Sequence, residues 1–251
     1  MSHPLSVLRK ASKADIRSDP FPHIVLQDVL PLDVCNHLIA SYPSLKAMGV
    51  DEAAHNSRWS YPTRQVMANE AIPDLWKQFV AYHASEAFFH EIVDLFYEDI
   101  HRLYPRQFPS YGALHSLRVG IREARAKDQR APDGTIQLDS QISGNTPVRI
   151  AGSVRTTHVD DGRKLFSGLV YMRKDEDDSR GGDLTISRFL PRYATLKDKL
   201  KCFEGVHDSL HGVTPRYPTE HCRIFLNVIG ELSEPLYETV AAKDGFARRD
   251  A

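Results

Sequence analysis

Three short stretches hold the residues able to do chemistry. In "TTHVDDGRKLFSGLVYM" (156–172), His158 and Asp160 stand two apart, just ahead of an apolar, aromatic run. If the stretch is extended, alternation puts both on one side and Val159 on the other. An imidazole beside a carboxylate makes either a hydrogen-bonded pair or the start of a metal site. "SLHGVTP" (209–215) places His211 in a short strand-like element after a loop. "HCRIFLNV" (221–228) sets Arg223 at the mouth of a strand of Ile224, Phe225, Leu226 and Val228. A buried guanidinium there asks for an anionic partner, because an unpaired buried charge is costly. Two histidines and one carboxylate on one face of a metal leave about three positions open, which suits non-haem Fe(II) and O2 chemistry. An arginine close by can hold the far carboxylate of a dicarboxylic cosubstrate through paired hydrogen bonds.

Each of these residues has a rival. Asp161 is the alternative carboxylate, but alternation turns it away from His158. His207 is the alternative distal histidine, and His221 reads as solvated near a turn. Arg223 can instead pair with a structural carboxylate, with Arg216 or Arg155 as the next anchors. Arg155 itself can meet an anionic substrate or form a surface salt bridge. Gln141 and Asn145 either approach a ligand from a neighbouring strand or serve structural hydrogen bonding. In "SRGGDLTIS" (179–187) the paired glycines permit a tight entry and close backbone approach to an alternating strand.

The elements that must position these residues follow from periodicity. Residues 1–19 are polar and read as a loose arm, and 20–30 as a strand after a Pro-rich entry. Residues 31–45 carry helical spacing, with Pro31 suited to a first turn. A helical region spans about 72–103, where Phe88, Phe89, Ile92, Leu95, Phe96, Ile100 and Leu103 form a core-facing stripe. After Pro105 and Pro109 the character changes. Residues 114–123 look extended, 124–134 form a charged loop, and 135–143 alternate, with Gln137, Asp139 and Gln141 on one face. Further short strands are expected near 148–160, 165–173, 183–189, 209–214 and 222–229. The segment 188–205 is partly basic and reads as a lid or short helix. Helices first and many short strands after predict an α+β fold with a mainly β core, a sandwich or barrel backed by N-terminal helices. The whole chain forms one domain, with helical support over 20–113, a β core over 114–230 and a C-terminal segment over 231–251.

The bulk numbers narrow the classes. A chain of 251 residues can bury about three quarters of its unfolded surface without a disulfide or metal staple. A net charge of −1 gives no global attraction to nucleic acid or anionic membranes. Three cysteines without a C-x-x-C pair argue against a disulfide framework and a cysteine-rich zinc site, and point to a reducing, cytoplasmic setting. There is no apolar run of membrane-spanning length and no signal-peptide core at the N-terminus.

Taken in order, "HVD", "GLVYMR", "GGDL", "HGVTP" and "CRIFLNV" resemble the Fe(II)- and 2-oxoglutarate-dependent oxygenase superfamily, in particular its prolyl-hydroxylase-like branch. The resemblance covers roughly 135–230, and "PFPHIVLQDVLP" is similar to the entry segment of many such enzymes. It implies a double-stranded β-helix, or jelly roll, with supporting helices. It implies Fe(II) held by His158, Asp160 and His211, and 2-oxoglutarate gripped at its distal carboxylate by Arg223, with Tyr171 donating to the same group. It further implies O2-dependent hydroxylation of a C–H bond in a small molecule, amino acid, peptide or saccharide, with succinate and CO2 as coproducts. Neither the substrate nor the oligomeric state is implied. Two features depart from the family pattern: Phe225 stands where many relatives have a small or hydroxylated residue, and the interval from His211 to Arg223 is slightly long. The alternatives are a non-catalytic jelly-roll module that binds metal or ligand, and a hydrolytic zinc site.

Overall fold

The computed structural model describes residues 3–123, 131–155, 157–174, 176–187 and 210–236. Within them the protein is a mixed α/β structure with a mostly antiparallel sheet and several helices. Five α-helices lie in the first half of the chain: α1 (Leu32–Ala40), α2 (Thr63–Ala68), α3 (Asp74–His83), α4 (Glu86–Leu103) and α5 (Tyr111–His115). The strands are β1 (Arg58–Tyr61), β2 (Arg118–Ile121), β3 (Thr135–Asn145), β4 (Lys164–Met172), β5 (Leu184–Ser187), β6 (Leu210–Val213) and β7 (Arg223–Leu232). No described helix is long and apolar enough to cross a membrane.

The larger sheet runs β1-β3-β7-β4. Strand β1 lies along the Ile142–Asn145 end of β3, and β2 pairs in parallel with the Thr135–Leu138 end of the same edge. The smaller sheet is β5 paired with β6. Isolated bridges continue it: His158 with His211, Gly152 with Arg216, and Gly181 with Arg216.

Alternation along the strands divides the larger sheet into two faces. Ile142, Met172, Ile224, Leu226 and Val228 are buried against α1, α2, α3 and the first turns of α4, together with Leu38, Val66, Trp76, Phe79 and Phe88. Ile136, Leu138 and Leu232 pack with Phe89, Val93, Ile100 and Leu114. The other face is polar. It carries Asp139, Gln141, Ser143 and Asn145 of β3 and Asn227 of β7, all buried.

Several expectations change. The long helical region is two helices, because Ser85 caps α4 by accepting from the Phe88 amide. The arm is not loose: Leu5 and Val7 join the core, Ser6 donates to Glu91, and His3 stacks on Tyr82 at 4.0 Å. Residues 20–30 form no strand. Pro20 and Pro22 remove amide donors, Asp28 turns the backbone to φ 50°, and Val25 is left 68% exposed. Residues 148–160 form only the isolated bridges. Periodicity reading missed β1, α2 and α5, each six residues or shorter. The 188–205 segment, His207, Cys202 and most of the charged loop lie outside the described residues.

Candidate metal centre

His158 and His211 are cross-strand partners. The His158 amide donates to the His211 carbonyl at 2.8 Å, and the His211 amide donates back at 3.0 Å. This two-way exchange fixes the two residues side by side, and the rings lie with centroids 4.3 Å apart. On the far side of β6, Ile186 pairs with His211, so the distal histidine is held from both edges. Asp160 follows two residues after His158 and comes back to the same side. Its Oδ1 lies 3.8 Å from His158 Nε2 and its Oδ2 4.0 Å from His211 Nε2. The three side chains can offer ligand atoms all within 4.8 Å of one another. Among the described residues this is the one such group of histidine, cysteine and carboxylate side chains.

Asp160 is nearly buried and faces cations. Lys164 Nζ stands 3.1 Å from its Oδ1 and an Arg155 guanidinium nitrogen 3.6 Å away. Burial pushes the carboxyl pKa up, but Lys164, His211 and Arg155 together outweigh this, and it lies below the usual carboxylate value. Asp160 is therefore ionised at neutral pH and could serve as a ligand. Asp161 goes elsewhere: its carboxylate takes the Arg163 guanidinium at 2.9 and 3.1 Å, outside the triad.

Arg223 opens β7, with its guanidinium carbon 4.3 Å above the centre of the Tyr171 ring. Tyr171 in turn tilts against Phe225 at 5.5 Å. The glycine pair makes room for this arrangement. Gly182 has φ 75°, and a Cβ there would stand 2.7 Å from an Arg223 guanidinium nitrogen and 2.8 Å from Arg216. At Gly181, φ 71°, a Cβ would collide with the Pro215 carbonyl oxygen. Arg216 is no anchor for a ligand. It is 1% exposed and spends its donors on Asn56 Oδ1, the Thr146 carbonyl and the His221 carbonyl. His221 is placed at that turn, holding Arg216 through its backbone.

The polar face of the sheet ends at this site. Asn227 donates to Gln141, and Gln141 donates to Asp139, which also accepts from the Thr63 amide and hydroxyl. Gln141 is thus held in structural hydrogen bonds. Asn145 differs: it is 3% exposed, and its Nδ2 has no hydrogen-bond partner among the described residues. Two residues of the site escaped sequence reading. Lys164 sits four after Asp160, a spacing that signals nothing in a turn that leads into a strand. Arg58 belongs to β1, a strand too short to show alternation.

No known protein family, no curated protein and no solved structure matches the chain.

Proposed function

We propose that the chain is an Fe(II)- and 2-oxoglutarate-dependent oxygenase of the prolyl-hydroxylase-like kind, built on a double-stranded β-helix. The observation that carries this reading is the convergence of His158, Asp160 and His211 from separate parts of the chain. The donor set fits ferrous iron: two imidazole nitrogens and one carboxylate on one side leave positions open on the other. Bound there, Fe(II) supplies the activation of O2 that side chains cannot perform. The jelly-roll assignment draws support from two sheets whose pairing is antiparallel apart from β2 with β3, the smaller one extended by the His158–His211 bridge.

The chain's own residues have distinct tasks in this reading. His158 and His211 present ring nitrogens held in register by their backbone exchange. Asp160 stays ionised under Lys164 and Arg155. Arg223 offers a planar fork of donors to the distal carboxylate of 2-oxoglutarate, and the Tyr171 ring beneath it restrains its orientation. Burial pushes the Tyr171 hydroxyl pKa up, against the pull of Arg223 and Arg58, so it remains a hydrogen-bond donor at neutral pH. The reaction is hydroxylation of a substrate C–H bond, with 2-oxoglutarate converted to succinate and CO2.

Anaerobic addition of Fe(II) and 2-oxoglutarate to the full chain tests the reading. A visible charge-transfer band is expected, together with succinate release once O2 is admitted. His158→Ala, Asp160→Ala and His211→Ala should each remove the band. A band that survives His211→Ala and vanishes in His207→Ala reassigns the distal ligand. A band without succinate over a broad substrate panel favours a non-catalytic binding module.

A further inference from the structure

Arg58, Asn145 and Arg223 occupy one row across three strands. Arg58 pairs with Asn145 and Asn145 pairs with Arg223, so their side chains leave the sheet on the same face. That face is the polar one that ends at the triad. Arg223 leans toward Tyr171 and Gly182, and Asn145 stands between it and Arg58 in the row. Arg58 is within electrostatic reach of Arg155, Asp160 and Tyr171, so it looks over the metal ligands rather than away from them. Arg155 reaches the same point from the segment between the Gly152 and His158 bridges, 3.6 Å from Asp160.

Among the described residues, Arg58, Arg155, Lys164 and Arg223 stand against Asp160 and Asp183 around this point, a surplus of two positive charges. A divalent metal and a dianionic cosubstrate cancel each other and leave that surplus in place. Within the same row a nearly buried amide, Asn145 Nδ2, has a hydrogen to donate and no acceptor among the described residues. Buried donors are seldom left so, and a ligand atom is a common reason. Two guanidiniums near Asp160, with an amide donor in the Arg58 row, suit an oxyanion.

We propose that Arg58, Asn145 and Arg155 form a second oxyanion site beside Arg223, and that the substrate carries a carboxylate or phosphate which this site holds against the metal. The assignment of that anion to a substrate rests on the oxygenase reading; the existence of the site does not. A substrate tethered by its acidic group is oxidised at a carbon a fixed distance away, so the same residues select both substrate and position.

Two measurements test the proposal. In the first, the metal-free full chain is titrated calorimetrically with inorganic phosphate and with acetate. Binding should persist in Arg223→Ala and weaken about tenfold to a hundredfold in Arg58→Gln and Arg155→Gln, as for the loss of one charge-assisted hydrogen bond. The stronger of the two anions identifies the group. Binding lost only in Arg223→Ala, or absent from the wild type, overturns the proposal. In the second, succinate release is followed over carboxylic acids and phosphate monoesters, each beside its neutral amide or dephosphorylated counterpart. Stimulation by the anionic members alone is expected, with Arg58→Gln raising the concentration needed while the 2-oxoglutarate constant stays close to wild type. Equal stimulation by neutral counterparts overturns the substrate assignment. An Arg58→Gln effect confined to the 2-oxoglutarate constant moves Arg58 to the cosubstrate. If no charge-transfer band forms at all, the iron reading falls, and the phosphate and acetate titrations still decide the anion site.

Discussion

The two faces of the larger sheet are made by the same strands and do opposite work. On β7, Ile224, Leu226 and Val228 point into the helical layer and are buried among aliphatic and aromatic side chains. One residue out of step, Arg223 and Asn227 face the polar side. β3 repeats the division, with Ile136, Leu138 and Ile142 on one side and Asp139, Gln141, Ser143 and Asn145 on the other. The helix face is mainly apolar and is held by packing, with Ser140 its buried polar residue on β3. The site face is equally buried along β3, yet most of its groups are satisfied by one another, through Asn227, Gln141, Asp139 and Thr63. A buried polar surface of this kind is rigid only while every member is paired. Its unsatisfied member, Asn145, lies at the end nearest the triad. The face that packs against the helices and the face that carries the proposed site should therefore respond differently to truncation.

The sharpest way to break the comparison is to cut one residue from each face. Leu226 is fully buried and pairs with Ile142 and Val170. Leu226→Ala should lower unfolding stability by about 2–5 kcal/mol, the usual span for a buried leucine with little room to collapse. Denaturant unfolding measures it, and the metal affinity of the folded protein should not move. Arg223→Ala should do the reverse. Loss of one side of a desolvated charge pair costs about 2–5 kcal/mol, so the apparent 2-oxoglutarate constant should rise roughly 30-fold to several thousand-fold. Arg223→Lys should recover only part, since an ammonium lacks the two-pronged contact. Unchanged 2-oxoglutarate affinity in a folded Arg223→Ala protein would remove Arg223 from the site.

The helical layer also carries a titration that the site face should not feel. His83 is buried, donates through Nδ1 to the Phe79 carbonyl at 2.8 Å and accepts the Val7 amide at Nε2. Burial, with a smaller contribution from His3, brings its pKa from the usual 6.5 down to about 4. In the unfolded chain this histidine takes up a proton below about pH 6.5, while the folded protein resists it until about pH 4. Its contribution is complete above pH 6.5 and is lost progressively as pH falls toward 4, on the order of 3 kcal/mol in all. His83→Phe should flatten the stability slope between pH 6.5 and pH 4 in denaturant titrations. A slope equally steep in the variant would place the titrating group elsewhere.

The same contrast explains what was legible in the sequence. The helix face announced itself wherever an element was long enough to show a period, as in α4, β3, β4 and β7. The break between α3 and α4 was hidden because apolar residues continue across Ser85, and only the capping contact reveals it. The N-terminal segment misled because its polar composition conceals two core residues, Leu5 and Val7. Within the site, residues whose chemistry is unusual in a strand stood out: His158, Asp160, His211 and Arg223. Their supports did not. Lys164 and Arg58 are ordinary surface types whose importance comes from tertiary placement, and nothing in their neighbours along the chain encodes it. The role of the glycine pair could be anticipated as close approach, but not that the approaching groups are Pro215, Arg216 and Arg223.

The smallest effect concerns two adjacent carboxylates. Asp160 and Asp161 are identical in type, and one position separates the site face from solvent. Asp160 is close to both histidines and is held ionised by Lys164 and Arg155. Asp161 is 43% exposed at its side chain and paired with Arg163. That pairing, through a side-chain hydrogen bond, draws its pKa down against burial, but the pair faces water, where such contacts contribute about 0–1 kcal/mol. Asp161→Ala should therefore change unfolding stability by less than about 1 kcal/mol and leave Fe(II) affinity nearly intact, whereas Asp160→Ala abolishes the charge-transfer band. Metal titration of both variants, followed by the band and by calorimetry, checks this. Equal loss of iron in the two would mean that residues 158–161 rearrange around a metal, and the division between the faces would not extend to the turn that carries the ligands.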